Sequence, residues 1–551
     1  MEKENFIKLY EVAFKTYFDY PALSDYATNT RFSYGEIAKE IQKLHILFEE
    51  SGVKEGDKIA LVGKNNTRWC IAFLATVTYG AVIVPILQDF NPNDMHHIVN
   101  HSESVLLFTS DQIWENLEEE KLPKLKGAFS LTDYHLLFQR NDEQLNVINA
   151  KLDNLFDQRF PQGFTSESIH YIDRSDNEIV VLNYTSGTTG FSKGVMIMGK
   201  NLSGNMTTAR DAFRLQPRDR MLSFLPLAHT YGAAFEFLYA LSAGCDVYLL
   251  GKTPSPKILL QAFENIKPAL IISVPLVLEK IYRKVILPAI NKRPMKLAMS
   301  VPLLDQQLYA QIRKKLINSF GGVFTQLIIG GAPLNAEVED FLLKIKFPVT
   351  VGYGMTECAP LISFARVEEF VPRSCGKILP CMEARIDSSD PDNIAGEIQV
   401  RGQNVMLGYY KNEEATKEAF TEDGWLKTGD LGTLDKDNNL FIRGRSKSMI
   451  LGANGQNIYP EEIEAKINNL PFVLESLVIE RNNKLVALVY PDYDEADSTG
   501  LSHDELVLMM EESKKNVNEM LASYEKIAEI QLYPNEFEKT PKKSIKRYLY
   551  K

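Results

Sequence analysis

The sequence predicts an α/β protein whose larger part is a mostly parallel, doubly wound sheet and whose smaller C-terminal part mixes short strands with helices. Three observations carry this. Apolar strand-like runs alternate with amphipathic stretches along the N-terminal part of the 551-residue chain. After about residue 375 the texture changes to short strands separated by turns. Residues 184–196 read Tyr-Thr-Ser-Gly-Thr-Thr-Gly-Phe-Ser-Lys-Gly-Val-Met and follow directly on the apolar run 179–182, the end of a strand being where such sheets bind ligands.

In chain order, residues 32–51 have helical spacing and stop near Gly52. Gly56-Asp57-Lys58 turns into a short buried strand at 59–62, a helix follows at 69–79 and a second strand at 81–86. The same strand texture recurs at 180–183, 221–225, 247–250, 269–274 and 326–329. Strands alternating with helices in this way predict parallel pairing. Beyond the change of texture, 383–387, 397–401 and 440–443 read as short strands of an antiparallel or barrel-like unit. The last segment reads as strands at 477–480 and 485–490 and helices at 460–468 and 502–524, with the charged run 492–497 as an exposed loop. The predicted boundary falls at Gly444-Arg445-Ser446-Lys447.

Composition bounds the function. A chain of this length exceeds one core and predicts several domains or subdomains. With 45% apolar residues it can bury a large interior. A net charge of −11 argues against a nucleic-acid binder, so an anionic substrate needs a local cationic site. No apolar run reaches the roughly 18 residues of a membrane span, and the N-terminus lacks the basic and apolar regions of a signal peptide, so a cytoplasmic location is expected. The five cysteines include no C-x-x-C pair and suggest no disulfide framework. His97 and His101 share a helix face without a third metal ligand in view, so a surface or capping role is expected for them.

The loop at 184–194 reads as a polyphosphate cradle, with an ordinary Ser/Gly turn as the alternative. Glycines let backbone N–H groups close around an anion. Thr185, Ser186, Thr188 and Thr189 add hydroxyl donors and Lys193 adds a cation. The spacing is not that of a Walker loop, since Gly187 is followed five places on by Ser192. Gly190-Phe-Ser-Lys-Gly194 matches the G-x-S-x-G elbow of serine hydrolases. That elbow, however, sits on a sharp turn between strand and helix, whereas Ser192 ends a long loop.

Four further loops join the cradle: Leu225-Pro-Leu-Ala-His-Thr-Tyr-Gly232, Gly330-Gly-Ala-Pro-Leu334, Gly352-Tyr-Gly-Met-Thr-Glu357 and Gly424-Trp-Leu-Lys-Thr-Gly-Asp430. Together and in this order they resemble the adenylate-forming superfamily of acyl-CoA synthetases, luciferases and peptide-synthetase adenylation domains. The resemblance implies a large N-terminal domain (1–444) of two doubly wound α/β sheets with a small β-barrel at about 375–444. A hinge at 445–447 and a small, mobile α+β C-terminal domain (448–551) are implied to follow.

It also implies a two-step reaction. A carboxylate attacks the α-phosphate of ATP, giving an acyl-adenylate and pyrophosphate, and a thiol, usually that of CoA, then takes the acyl group. By this resemblance Thr185, Ser186, Gly187, Thr188, Thr189, Gly190 and Lys193 bind phosphate, and Glu357 with Thr188 holds Mg²⁺. Tyr353, Gly354, Thr356, Gly331, Ala332 and Pro333 receive the adenine side of the nucleotide. Asp430 and Arg445 take the ribose, and His229 lines the acyl carboxylate site. Lys447 corresponds to the hinge, and Gly452 and Gly455 belong to the loop on the CoA side. The family's C-terminal pattern Thr-Pro-x-x-Lys-x-x-Arg departs here, where 540–547 read Thr-Pro-Lys-Lys-Ser-Ile-Lys-Arg. Ser544 stands where the catalytic lysine is expected. Among Lys542, Lys543 and Lys546, the preferred replacement is Lys543, with slow or lysine-independent adenylation as the alternative.

Leu225–His229 and the stretch 274–283 resemble the long-chain fatty acyl-CoA synthetase branch, although the apolar face at 274–281 also reads as plain core. Phe235, Phe237 and Tyr239 are candidates for an acyl tunnel. Fatty acid and CoA are the implied substrates. Peripheral membrane contact, an acyl carrier protein in place of CoA, and a homodimer stay open. The rival readings are an acyl–acyl carrier protein ligase and an adenylate-only or non-catalytic nucleotide-binding protein, the latter motivated by Ser544.

Overall fold

The structure, a computed structural model, describes residues 5–140, 143–185, 192–290, 304–451, 456–482, 484–541 and 544–550. These fall into two compact units, one of residues 5–383 with 401–424, the other of 384–400 with 425–550. The expected boundary at 444–447 lies inside the second unit.

The first unit holds two sheets with parallel cores. The larger has eight strands in the order Gly408–Tyr409, Lys193–Met198, Ile179–Thr185, Val82–Ile86, Lys58–Val62, Ser104–Thr109, Gly127–Ser130 and Leu136–Gln139. Pairing is parallel from Ile179–Thr185 to Gly127–Ser130 and antiparallel beyond both ends of that run. The central strand Val82–Ile86 is buried at every position, as a parallel strand covered on both faces must be. Covering helices begin where the sequence supplies caps. Tyr34–Glu50 starts on a Ser33/Glu36 capping box. Thr67–Tyr79 starts on the Asn66 side chain and stops at Gly80, whose φ of 96° a side chain would disfavour.

The second sheet of this unit runs Thr30–Ser33, Pro21–Asp25, Asp246–Leu249, Arg220–Ser223. An isolated parallel bridge from Met221 to Leu270 leads on to the parallel strands Ile271–Ser273, Leu327–Ile329 and Val349–Val351. The strands expected at 59–62, 81–86, 180–183, 221–225, 247–250, 269–274 and 326–329 are all present, shifted by one or two residues at their ends. Both sheets of the expected large domain are therefore found, with antiparallel edges added.

Met382–Asp387, Gly396–Gly402, Leu426–Leu434 and Leu440–Arg445, which lie mostly in the second unit, form a four-stranded sheet. It is open among the described residues, so the expected barrel is corrected to an open sheet: the pattern encodes neighbouring strands, and closure additionally needs the outer two to pair. The strand Leu426–Leu434 takes in most of the segment 424–430 expected as a loop. A three-stranded sheet follows, Val473–Arg481 antiparallel to Lys484–Pro491 and the latter parallel to Ile527–Leu532. Helices Pro460–Ile467 and His503–Glu519 bury Ile463, Ile467, Leu506 and Met510 against it. The charged run 492–497 is corrected from a loop to the helix Tyr493–Ser498, which the Asp492 side chain caps by accepting from the Glu495 N–H.

Candidate active site

Each predicted loop of the first unit leaves the carboxyl end of a parallel strand. The 225–229 loop follows Arg220–Ser223, 330–334 follows Leu327–Ile329, 353–357 follows Val349–Val351, and the cradle follows Ile179–Thr185. Ser186, Gly187, Thr188, Thr189 and Gly190 lie outside the described residues, while Thr185 and Lys193 pair across the two strands that flank the loop. The Thr185 hydroxyl donates to the Lys193 carbonyl at 3.5 Å.

Lys193 and Glu357 are brought together by a residue that sequence reasoning missed. The Lys193 Nζ lies 5.0 Å from the centroid of the Tyr409 ring, and the Tyr409 hydroxyl donates to Glu357 Oε1 at 2.9 Å. Burial, together with the Glu357 charge, holds the Tyr409 phenol well above the usual tyrosine range, so it remains a donor at neutral pH. Glu357 sits on the short turn Thr356–Cys358, and its carbonyl accepts from the Met406 N–H at 2.8 Å. No group of three or more His, Cys, Asp or Glu capable of holding a metal occurs among the described residues. A single half-buried carboxylate instead suits a magnesium ion that arrives with phosphate oxygens and keeps several waters.

The 225–229 loop is held by three side chains also absent from the sequence reading. Asn65 donates to the Leu225 carbonyl at 2.6 Å and accepts from the Leu227 N–H at 3.0 Å. Asn183, on the strand that feeds the cradle, donates to the Ala228 carbonyl at 2.9 Å. Glu236, fully buried, accepts from the Ser223 hydroxyl and from the Phe224 and Leu225 N–H groups through one oxygen, and burial pushes its carboxyl well above the usual range. His229, half-buried, ends this loop. A Cβ at Gly232 would lie 2.9 Å from the Pro226 carbonyl, which explains the glycine that closes this motif.

The loops at 330–334 and 353–357 differ in burial. Gly331, Ala332 and Pro333 are exposed, with Gly331 at φ 85°, while Tyr353 and Thr356 are buried. Gly354 meets the Pro360 carbonyl so closely that a Cβ would lie 2.2 Å from it. Phe235, Phe237 and Tyr239 are buried in aromatic packing: Phe237 lies against Trp69 and Phe73, and Phe213 meets both Phe235 and Tyr239. His97 and His101 stack on each other, and His101 Nδ1 shares a 2.8 Å hydrogen bond with the Tyr184 hydroxyl.

In the second unit Asp430 and Arg445 face each other across antiparallel strands, with Arg445 Nε 3.5 Å from Asp430 Oδ1. Lys447 is exposed in the turn that follows. Gly452, Gly455, Lys542 and Lys543 lie outside the described residues. Ser544 is exposed, its carbonyl accepting from the Thr540 N–H at 2.8 Å, and Lys546 pairs with Glu538 at 3.6 Å. Arg547, which ends the motif, contacts Glu464 in a direct ion pair and Glu461 at 3.6 Å.

Known proteins share this organisation. Residues 10–410 match the AMP-binding enzyme family and residues 447–550 the AMP-binding enzyme C-terminal domain. The long-chain-fatty-acid–CoA ligase FadD15 of Mycobacterium bovis is 28% identical over 470 residues, covering 81% of this chain and 74% of its own. The long-chain-fatty-acid–CoA ligase heimdall of Drosophila melanogaster is 28% identical over 512 residues, covering 87% and 74%. Among solved structures, ATP-bound MatB from Rhodopseudomonas palustris superimposes with a TM-score of 0.76 at 23% identity, covering 99% of this chain and 98% of that one. MenE, the O-succinylbenzoate coenzyme A synthetase of Bacillus subtilis, in complex with ATP and magnesium ion, gives 0.73 at 21% identity, covering 98% of each. At these identities the solved structures show the shared fold.

Proposed function

From the premise that this chain belongs to the AMP-binding enzyme family, we propose that it activates a fatty acid, in the long-chain range, with ATP and transfers the acyl group to CoA. The observation that carries this is the Lys193–Tyr409–Glu357 assembly at the carboxyl ends of the parallel strands. Long-chain-fatty-acid–CoA ligases among the relatives support the substrate class.

In the first step a carboxylate oxygen attacks the α-phosphorus of ATP and the bond to the bridging oxygen breaks, releasing pyrophosphate. One anion attacks another, so the barrier falls only if fixed positive charge and donors face the phosphates. Lys193 and the hydroxyls of the cradle take that role. Glu357 would hold magnesium, which neutralises charge on the phosphate oxygens when bound. Half-buried His229, on its loop braced by Asn65, Asn183 and Glu236, orients the acid. Tyr353 receives the adenine ring, and Asp430 accepts from the ribose hydroxyls. In the second step a thiol sulfur attacks the acyl carbon and AMP leaves. Lys447 is the proposed pivot of the C-terminal segment between the two steps, and Lys447→Pro should slow the thiol step more than the first.

Ser544 in the place of the expected lysine favours a second reading, an adenylate-only or non-catalytic nucleotide-binding protein, and a ligase for acyl carrier protein is a third. Incubating the protein with ATP, Mg²⁺ and oleate separates them. Pyrophosphate and acyl-adenylate without thiol, followed by oleoyl-CoA and AMP when CoA is added, supports the proposal. Thioester on holo acyl carrier protein alone supports the carrier-protein ligase, and adenylate with no thioester, or no pyrophosphate at all, supports the second reading.

A further inference from the structure

The segment that carries Tyr409 is unusually well secured for a two-residue strand at a sheet edge. Gly408 and Tyr409 pair with Met196 and Val195, and hydrogen bonds Leu407 N–H to Met196 O (3.0 Å) and Tyr410 N–H to Gly194 O (2.7 Å) extend the pairing on both sides. The Tyr409 N–H donates to Thr416 Oγ1 at 2.9 Å. One residue on, the Tyr410 ring meets His101 edge-on at 5.8 Å and its hydroxyl donates to Glu103 at 3.5 Å. Lys411 adds a 2.9 Å ion pair to Glu103 and a 3.2 Å hydrogen bond to the His101 carbonyl. The Tyr409 backbone is thus tied to the strand that begins at Lys193 and to the helix Pro92–Ser102 behind it.

Two parts of one side chain then meet two chemically opposite groups. The ring face is a weak acceptor for the Lys193 ammonium, and the hydroxyl is a donor to the Glu357 carboxylate. We infer that Tyr409 is a positioning residue: its ring seats the phosphate-binding lysine and its hydroxyl fixes the metal carboxylate, keeping cation and anion apart before nucleotide arrives. Without it the two opposite charges would be drawn toward each other, into a pair that each must break to act. The inference rests on the function proposed above and adds to it a residue whose loss should change the magnesium requirement rather than only the rate.

The test is equilibrium binding of a fluorescent ATP analogue to the full-length protein over a range of Mg²⁺ concentrations. Tyr409→Phe and Tyr409→Leu both lack the hydroxyl, and only leucine also lacks the ring. Both should raise the Mg²⁺ concentration at half-maximal binding about tenfold, as loss of a partner behind a metal ligand does. At saturating Mg²⁺ the phenylalanine variant should bind ATP like the wild type, while the leucine variant should bind about fivefold more weakly. Either variant alone suffices for the metal claim if the other fails to fold. A variant that unfolds at the wild-type temperature with an unmoved Mg²⁺ midpoint overturns the inference, even if pyrophosphate release falls. A wild-type protein that binds no ATP with Mg²⁺ present overturns the proposed function instead.

Discussion

Two oppositely charged pairs, one in each unit, are held in different ways. Lys193 and Glu357, in the first unit, are separated by an aromatic ring and a hydroxyl, half-buried, on segments tied to the eight-stranded sheet. Asp430 and Arg445, in the second, meet directly at 3.5 Å with the arginine side chain 65% exposed and the aspartate 15%. An exposed pair of this kind contributes about 0–1 kcal/mol, so strand register rather than charge places Asp430. Lys193 and Glu357 are preorganised around Tyr409 by the fold, whereas Arg445 changes partner at little cost. The second unit is not loose throughout, because Arg547 is sequestered against Glu464 and Glu461.

The largest expected effect of a substitution on stability lies in that ion pair. Arg547→Ala leaves Glu464, 7% exposed, without its cation and should destabilise the second unit by about 3 kcal/mol in urea unfolding. A loss as small as that of Arg445→Ala would break the contrast between the two arginines. Next, Lys193→Met and Glu357→Gln should each lower acid-dependent pyrophosphate release by roughly 10²–10³, the range for removing a fixed charge or donor from a developing anionic centre.

A comparable effect on stability comes from pH. His45, between the helices Tyr34–Glu50 and Thr67–Tyr79, shares its Nε2 with the Ala75 carbonyl and Thr78 hydroxyl, and burial brings its pKa down to about 4. The unfolded chain, with histidine near its ordinary value of about 6.5, binds more protons between the two values. Stability of the first unit should therefore rise from pH 4 to 6.5 and be lost as pH falls through that window, by about 3 kcal/mol in all. His45→Gln should flatten the dependence in unfolding curves at pH 4.5 and 7. The smallest effect is that of Arg445→Ala, which should leave unfolding of the second unit within about 1 kcal/mol of wild type.

Much of the fold was legible because its signals are local. Apolar runs of strand length between helical stretches mark a parallel sheet, and glycine and hydroxyl loops after them mark its ligand end. The features missed are those in which local pattern and tertiary pairing disagree. Ile527–Leu532 spaces its buried residues Ile527 and Ile530 three apart, which reads as helix, yet it pairs with Lys484–Pro491. Leu426–Leu434 holds Gly429 at φ 74°, which reads as a turn within what is a bulged strand. Tyr409, Asn65 and Glu236 gave no signal at all: a tyrosine, an asparagine and a glutamate among many acquire roles only through partners far away in sequence or through a loop's backbone. The loops after Arg220–Ser223, Leu327–Ile329 and Val349–Val351 were legible because their glycines stand out in the sequence, whereas the residues that brace them answer only to the protein around them.

Acid-dependent release of pyrophosphate from ATP, with Mg²⁺ and a series of acids from acetate to oleate, is the most direct measurement of what this protein does. Turnover that rises along the series, peaks at long acids and yields acyl-CoA only when CoA is present is the expected result. Equal release with every acid, or none with any, would contradict the assignment as a fatty acid–CoA ligase.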